Sequence, residues 1–143
     1  MKRLFIDTNI VIDLLDKREP FYKSAVQLFT LAYHHKLALY VSPITYATAS
    51  YLLRKQGKEG SRILLQNLRQ LVRITTADER VVDDALASSF DDYEDALQYY
   101  SALTRKVDAI ITRNIKDFQY SQIAVLTADE FLGTWDNYKS RTK

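Results

Sequence analysis

The sequence predicts an α/β fold in which a central parallel sheet has helices on both faces. Short apolar runs of strand type alternate along the chain with longer segments whose apolar residues recur at helical spacing. Such alternation is typical of a parallel sheet, because parallel strands need a crossover connection between them. The 143 residues suffice for one sizeable core, so a single domain over residues 1–143 is expected.

In the first half of the chain, the pattern predicts two strands and four helices. Thr8 and Asn9 are good N-cap residues for the first helix, and Pro43 suits the first turn of the third. Gly57 and Gly60 predict a turn before the fourth helix. The predicted elements are a strand at 4–6, a helix at 10–15, a helix after Pro20, a strand at 37–41, a helix at 44–56 and a helix containing Leu64, Leu68 and Leu71.

The second half of the chain predicts three strands and three helices. Asp78 is the expected cap of the first of these helices, Asp91 or Asp92 of the second, and Thr127 or Asp129 of the last. The predicted elements are a strand at 72–74, a helix with Val81, Val82, Ala85 and Leu86 inward, a helix with Ala96, Leu97, Tyr100 and Leu103 inward, strands at 107–111 and 125–126, and a C-terminal helix.

Composition excludes several classes of function. The absence of cysteine rules out disulfides, thiolate zinc sites and cysteine nucleophiles, and the three glycines form neither a dinucleotide-binding loop nor a P-loop. We find no stretch of signal-peptide or membrane-spanning type, so a cytoplasmic protein without membrane association is expected. The net charge of +2 is too small to attract nucleic acid in bulk, so such binding would need local patches.

Three aspartates follow or accompany apolar runs in a way that predicts a metal site. Asp7 directly follows the first strand, Asp117 follows the strand that ends at Ile111, and Asp95 ends an acidic run that begins at Asp91. In parallel α/β folds, functional groups gather at the carboxyl ends of the strands. Because clustered carboxylates without a counter-charge favour a hard divalent cation, the sequence predicts a metal-dependent nuclease.

Structural roles compete with this interpretation. Aspartate is common at strand-to-helix turns because it caps helices, which would explain Asp7 alone. The helix dipole and a capping box formed by Asp92 and Asp95 would explain one or two acids of the second group. Four acids within residues 91–95 exceed what capping requires and repel one another, which a cation would relieve. Asp108 precedes its strand, so a structural role at the opposite edge is expected.

Three segments, in order along the chain, resemble a PIN domain. They are Phe-Ile-Asp-Thr-Asn at 5–9, Glu-Asp-Ala-Leu at 94–97 and Ile-Thr-Arg-Asn-Ile-Lys-Asp-Phe at 111–118. The similarity extends over essentially the whole chain and is greatest to the small VapC-like toxins of bacterial toxin–antitoxin pairs. The resemblance implies a three-layer α/β/α sandwich and a ribonuclease that depends on Mg²⁺ or Mn²⁺. It also implies an antitoxin that blocks the site and, by analogy, a possible homodimer.

The resemblance assigns roles to residues of this chain. It places the catalytic, metal-binding aspartates at Asp7, Asp95 and Asp117, which would hold one or two ions that activate a water for attack on a phosphodiester of RNA. The last acidic pair of the family falls on Asn114 and Asp117, and Thr48 stands where the family usually has a glutamate. Our own further candidates for supporting or substrate-binding positions are Asn9, Asp92, Glu94 and Thr112.

One departure from the family pattern bears on activity. The family usually has a glutamate in the helix after the second strand, where this chain has Thr48, and no acid lies between Leu37 and Gln56. An uncompensated change of this kind costs about 10- to 100-fold in metal affinity or activity. Glu94 or Asp92 could compensate, or the Thr48 hydroxyl could bond a water on the metal. Alternatively, the domain is a catalytically weak or inactive module that binds RNA or a protein.

Two basic stretches and several tyrosines are candidate RNA contacts. Each basic stretch could follow a phosphate backbone, or it could be a solvated face. The tyrosines could stack on bases, although core or interface positions are the favoured interpretation. The residues are Arg54, Lys55, Lys58 and Arg62; Arg105, Lys106, Arg113 and Lys116; and Tyr46, Tyr51, Tyr93, Tyr99 and Tyr100.

Overall fold

The computed structural model describes residues 1–141, with side chains described as far as residue 136. Among these described residues, five strands form one sheet in the order β3-β2-β1-β4-β5, and every neighbouring pair is parallel. The strands are β1 (Arg3–Ile6), β2 (Ala38–Val41), β3 (Val72–Ile74), β4 (Ala109–Ile111) and β5 (Ala124–Leu126). All five lie within two residues of the predicted bounds, and the predicted parallel sheet is confirmed.

In the part of the chain that the structure describes, seven α-helices connect and follow the strands. They are α1 (Thr8–Leu15), α2 (Tyr22–Tyr33), α3 (Pro43–Leu52), α4 (Gly57–Leu71), α5 (Glu79–Leu86), α6 (Tyr93–Leu103) and α7 (Ala128–Arg141). Short 3-10 turns occupy Arg54–Gln56 and Ile115–Phe118. Within the described residues, no helix has the length and apolar character needed to cross a membrane.

The two faces of the sheet bury two separate apolar clusters. Because side chains alternate along a strand, Leu4 and Ile6 point to one face and Phe5 to the other. Leu4 and Ile6 pack with residues of α1, α2, α4 and α7, whereas Phe5 packs with Tyr99 of α6 and with Phe118. Helices therefore cover both faces, which confirms the three-layer α/β/α sandwich.

The centre of the sheet contains a topological switch point. From β1 the chain first adds β2 and β3 on one side, and it then returns to place β4 and β5 on the other. In β1 and β4, Ile6 pairs with Ile111, so the residues that follow, Asp7 and Thr112, emerge side by side. In open parallel sheets, such a point is where ligands bind.

Two local predictions were wrong. Asp7, rather than Thr8 or Asn9, is the N-cap of α1, because its carboxylate accepts a hydrogen bond from the Thr8 backbone N–H at 2.8 Å. The predicted turn before the fourth helix is formed by Arg54–Gln56 rather than by Gly57 and Gly60, because α4 already begins at Gly57 and includes Gly60. Gly57 has a φ of +79°, a left-handed value that suits glycine and allows α4 to start directly after the 3-10 turn.

The predicted inward faces of α5 and α6 were partly wrong. Val81 and Ala85 are buried, but Val82 and Leu86 are 40% and 68% exposed, and Leu103 is 38% exposed. The eight-residue α5 packs mainly on α6, so only its residues at spacing four, Val81 and Ala85, reach a partner surface. Asp78 caps α5 and Asp92 caps α6, as predicted.

Candidate active site

Asp7 lies at the switch point and both of its carboxylate oxygens are held in place. Its side chain is buried, with a relative exposure of 8%. Oδ1 accepts the hydrogen bond from the Thr8 N–H, and Oδ2 accepts one from Thr112 Oγ1 at 2.8 Å. The Asp7 N–H donates to Ile111 O at 2.9 Å, which extends the β1–β4 pairing to this residue. The aspartate is therefore fixed by both strands that define the switch point.

Burial raises the pKa of Asp7 above its usual value. The hydrogen bonds from Thr112 and from the Thr8 backbone act in the opposite direction, because they favour the charged form. The negative charges of Asp117 and Glu94 raise the pKa of Asp7 further. These two acids therefore face the same space as Asp7, although they come from α6 and from the 3-10 turn after β4.

Asp95 is the second acid of this group. We call the space that Asp7, Glu94, Asp95 and Asp117 face the acidic cleft. Asp95 lies half-buried in the first turn of α6, where its N–H donates to the capping Asp92 Oδ1 at 3.0 Å. Burial, followed by the charges of Asp92, Asp117, Asp7 and Glu94, raises the pKa of Asp95 to about 7. A small cavity of about 60 Å³ lies between the start of α6 and the turn after β4, lined in part by Asp95, Asp117 and Lys116.

The acids suit a divalent cation, but they are not arranged as three direct ligands. Within the described part of the chain, none of Asp7, Glu94, Asp95 and Asp117 forms an ion pair with lysine or arginine. Among the same described residues, no group of three or more acidic or imidazole side chains is close enough to hold an ion. Carboxylates that repel one another across a cleft fit Mg²⁺, which keeps several waters and uses few direct protein ligands.

The supporting residues differ in how closely they approach the acids. Thr112 is fully buried against Asp7, and its Oγ1 also accepts a hydrogen bond from the Asn114 N–H at 3.0 Å. The Asn114 side chain is exposed, and Asn9 is half-buried in the first turn of α1. Thr48 is half-buried on α3. On that helix it is Thr45, one turn before Thr48, whose hydroxyl contacts the residues around Asp7.

A buried polar network beneath Asp7 was missed by sequence reasoning. Gln98 Nε2 donates to Thr8 Oγ1 at 2.9 Å and to Thr45 Oγ1 at 3.0 Å, and Gln98 Oε1 accepts from the Ser42 hydroxyl. Thr8 and Thr45 also bond each other at 3.1 Å. All four side chains are at most 7% exposed. Gln98 follows Asp95 by three residues, so helical spacing alone could have placed it on the same face of α6.

A PIN domain family model matches residues 3–116, a range that includes Asp7, Asp95 and strands β1 to β4 and ends one residue before Asp117. The chain belongs to the PIN domain family. It is also similar to Ribonuclease VapC1 of Aquifex aeolicus (strain VF5), with 28% identity over 140 residues that cover 94% of this chain and 96% of the relative.

Solved structures share the fold of this PIN domain at low sequence identity. A toxin–antitoxin complex from Klebsiella pneumoniae has a TM-score of 0.65 at 24% identity, with 87% of this chain and 97% of that chain covered. VapBC2 from Rickettsia felis, bound to a DNA fragment from its promoter, has a TM-score of 0.62 at 19% identity, with 87% and 96% covered. At this identity, the likeness shows the fold.

Several basic residues of the PIN domain are tied to other groups rather than presented as open patches. Lys55 Nζ lies 3.1 Å from Asp16 Oδ2, and Arg105 donates to Ile74 O at 2.7 Å. Arg113 Nη2 donates to Asp13 Oδ1 at 3.1 Å, and Asp13 is only 1% exposed. Lys116 is the cation that lines the acidic cavity, so it is the strongest of these candidates for a phosphate contact.

The raised pKa of Asp95 predicts how stability depends on pH in protein stripped of metal. The pKa of Asp95 is about 7 in the folded state and 3.8 in the unfolded reference state. At pH values between these two, the folded protein therefore binds more protons than the unfolded chain. Stability should therefore fall as pH rises from about 4 to 7. Since Asp95 is partly exposed, we expect Asp95→Asn to stabilise the metal-free protein at pH 8 by only about 1 kcal/mol.

Urea denaturation at pH 5 and pH 8, in the presence of a chelator, measures this effect. The exposed Asp83→Asn on α5 is the matched control and should change stability by no more than about 0.5 kcal/mol at either pH. In saturating Mn²⁺ without chelator, the wild type should instead be more stable to urea than Asp95→Asn at pH 8. Equal stabilities of the two proteins at pH 8 without metal would contradict the electrostatic description of the cleft.

Proposed function

We propose that this PIN domain is a divalent-metal-dependent endoribonuclease and the toxin of a toxin–antitoxin pair. The observation that carries the proposal is that the charge of Asp117 raises the pKa of both desolvated acids, Asp7 and Asp95, and that no lysine or arginine among the described residues forms an ion pair with these three acids. The similarity to Ribonuclease VapC1 over nearly the full length of both chains supports the choice of RNA as substrate.

In this mechanism, the protein fixes carboxylates around the phosphate to be cleaved. Asp7, Asp95 and Asp117 would hold Mg²⁺ or Mn²⁺. When bound, such an ion activates water as a nucleophile and offsets the charge that develops on the phosphate and the leaving oxygen. Thr112 and the Thr8 N–H hold the two oxygens of Asp7 in one orientation. Lys116, at the edge of the acidic cavity, can contact a phosphate that the acids themselves would repel.

Cleavage of defined single-stranded RNA tests the proposal. The purified protein should cut a labelled RNA in Mg²⁺ or Mn²⁺, and a chelator should stop the reaction. DNA of the same sequence should be cut much more slowly. Catalysis that persists at full rate in the chelator would exclude the metal, and preferential cleavage of DNA would exclude the ribonuclease assignment.

The proposed partner is a small antitoxin protein that covers the acidic cleft. Support comes from the structural neighbours, among which is a toxin–antitoxin complex. The test is whether the product of an adjacent small open reading frame forms a stable complex with this chain and inhibits cleavage. The homodimer and the cytoplasmic location stay predictions, which size-exclusion chromatography with light scattering and cell fractionation would examine.

A second function is supported by specific observations. Thr48 replaces the usual glutamate, and the described residues include no close three-ligand group, which favours a catalytically weak or inactive PIN module that binds RNA or protein. Calorimetric titration with Mn²⁺ separates the two. Binding that Asp7→Asn abolishes supports the enzyme, whereas no detectable binding by the wild type, with all three aspartates intact, supports the non-catalytic module.

Thr48→Glu should strengthen metal binding. Residues three apart lie on the same side of a helix, so a longer side chain at position 48 would extend from the face where Thr45 contacts Thr8. We expect an apparent Mn²⁺ affinity about 10-fold higher, since metal-site changes of this kind are worth about 10- to 100-fold. Thr48→Gln, of similar size but uncharged, is the control. Equal affinities of the two variants by calorimetry would show that position 48 lies outside the metal site.

A further inference from the structure

A second cavity lies on the face of the sheet that α1, α2 and α7 cover, whereas the acidic cavity lies between the start of α6 and the turn after β4. The volume of the second cavity is about 290 Å³, and it is open to solvent between α1, α2 and the start of α7. The residues that define its chemistry are Ile10, Asp13, Phe21, Ser24, Arg113 and Asp129. None of these residues has a role in the cleavage mechanism described above, although the cavity is far larger than the 60 Å³ space at Asp95 and Asp117.

The cavity adjoins Asp7 through two short connections. Asp7 caps α1, and Ile10, which lines the cavity, lies three residues later, about 5 Å further along the helix axis. On the other side, Arg113 directly follows Thr112, which donates its hydroxyl to Asp7. The loop after β4 then places Arg113 in this cavity and Lys116 in the acidic one. One short loop therefore joins the acidic cavity to the second cavity.

The wall of the cavity is a stack of planar groups. The Arg113 guanidinium lies over the Phe21 ring, 3.9 Å from its centroid, and Phe21 is 40% exposed. The buried Asp13 fixes the guanidinium, with Nε at 3.0 Å from Oδ2 and Nη2 donating to Oδ1. Unpaired bases stack on aromatic rings and on arginine planes in this way. The Ser24 hydroxyl in the same lining donates to Asp129 Oδ1, and the other carboxylate oxygen of Asp129 can accept from an amino group at the edge of a base.

We propose that this cavity binds one unpaired base of single-stranded RNA, next to the phosphate held at the acids. The proposal rests on the ribonuclease function proposed above and adds to it a base subsite. Stacking tolerates any base, so the cavity would select unpaired over paired RNA, because a base inside a duplex cannot enter it. The buried ion pair then has a role in recognition, since Asp13 holds Arg113 in the plane that the base contacts.

Binding measured without cleavage tests the subsite. Anisotropy of a labelled single-stranded RNA is recorded in Ca²⁺, with a gel to verify that the probe stays intact. Phe21→Leu keeps an apolar side chain but removes the ring, so affinity should fall about 5- to 20-fold. Tyr33→Leu is the matched control, because it removes an exposed aromatic ring at the far end of the same helix, α2, from a residue that does not line the cavity. Its affinity should stay within about twofold of the wild type.

Two further measurements connect the loss to a base. Ser24→Leu fills the cavity from α2 and leaves Phe21 and Arg113 in place, so it should weaken binding as much as Phe21→Leu. A series of probes, each lacking the base at one position, is then tested. At one position, loss of the base should weaken binding to the wild type. The same probe should bind Phe21→Leu as tightly as the intact RNA does. Circular dichroism and thermal melting verify that both variants are folded.

The outcomes distinguish this subsite from the proposed function. RNA cleavage by the wild type, together with unchanged RNA binding by Phe21→Leu and Ser24→Leu, would overturn the subsite alone. Losses that do not depend on any abasic position would also overturn it. If these variants lost affinity for a protein partner but kept it for RNA, the cavity would belong to that partner. A wild type that neither binds nor cuts RNA would overturn the proposed function and the subsite with it.

Discussion

Asp7→Asn should reduce RNA cleavage by about 100-fold or more, because it removes the carboxylate that β1 and β4 jointly fix at the switch point. The fold should survive the change. Asparagine is as good an N-cap as aspartate, so its side-chain oxygen can still accept from the Thr8 N–H. Its amide can donate to Thr112 Oγ1, a hydroxyl that is able to accept. Stability in metal-free buffer should therefore equal or exceed that of the wild type, since a buried charge has been removed.

Asp108→Asn is the matched control for this experiment. Asp108 is the aspartate just before β4, at the opposite edge of the sheet, where its Oδ2 accepts from the Arg3 N–H at 2.8 Å. This hydrogen bond between the start of β4 and the start of β1 is a structural role, as expected from the place of Asp108 before its strand. Cleavage by Asp108→Asn should stay within about twofold of the wild type once the folded fraction is matched. Equal cleavage by the wild type and Asp7→Asn would remove the proposed mechanism.

Gln98→Leu should destabilise the protein by about 2–4 kcal/mol, the largest effect on stability that we predict for a polar residue. The leucine leaves the buried hydroxyls of Ser42, Thr8 and Thr45 without their shared partner. Leaving a buried polar group unsatisfied costs about 1–3 kcal/mol. Because Thr8 and Thr45 still bond each other, only part of the network is lost.

The network also predicts an effect of Gln98 on cleavage. Gln98 joins α6 to the first turns of α1 and α3, so its loss should loosen the helix start that orients Asp7. Urea denaturation measures the change in stability, with the exposed Gln66→Leu on α4 as the matched control within about 0.5 kcal/mol. Cleavage per folded molecule should fall for Gln98→Leu and not for Gln66→Leu. A Gln98→Leu variant as stable as the wild type would show that the network contributes little.

The sequence by itself determined the fold class and the elements that bring the acids together. Alternating strand and helix patterns predicted a parallel sheet, and five strands were found within two residues of their expected places. The position of Asp7 directly after β1 followed from the apolar run that precedes it. These predictions succeed because hydrophobic periodicity and strand order act locally or through simple rules of chain connection.

Sequence also separated some local roles from others. Asp91 and Asp92 were the two predicted caps of α6, and Asp92 is the cap, since its side chain accepts a hydrogen bond from the Asp95 N–H. Yet the competition between Asp7, Thr8 and Asn9 for the cap of α1 was decided wrongly, because all three residue types cap helices well. The backbone angle of Asp7, extended with φ of −64° and ψ of 148°, decides between them.

Only the tertiary structure decided which polar residues act together. Gln98, Thr45 and Thr8 lie on three different helices, and their hydrogen bonds exist only because α6, α3 and α1 converge beneath the switch point. Likewise, the sequence indicated that Arg113 belongs to a basic stretch, whereas the fold pairs its guanidinium with Asp13. Residue types set what each side chain can donate or accept, but which partners meet is set by long-range packing, which leaves no periodic pattern in the sequence.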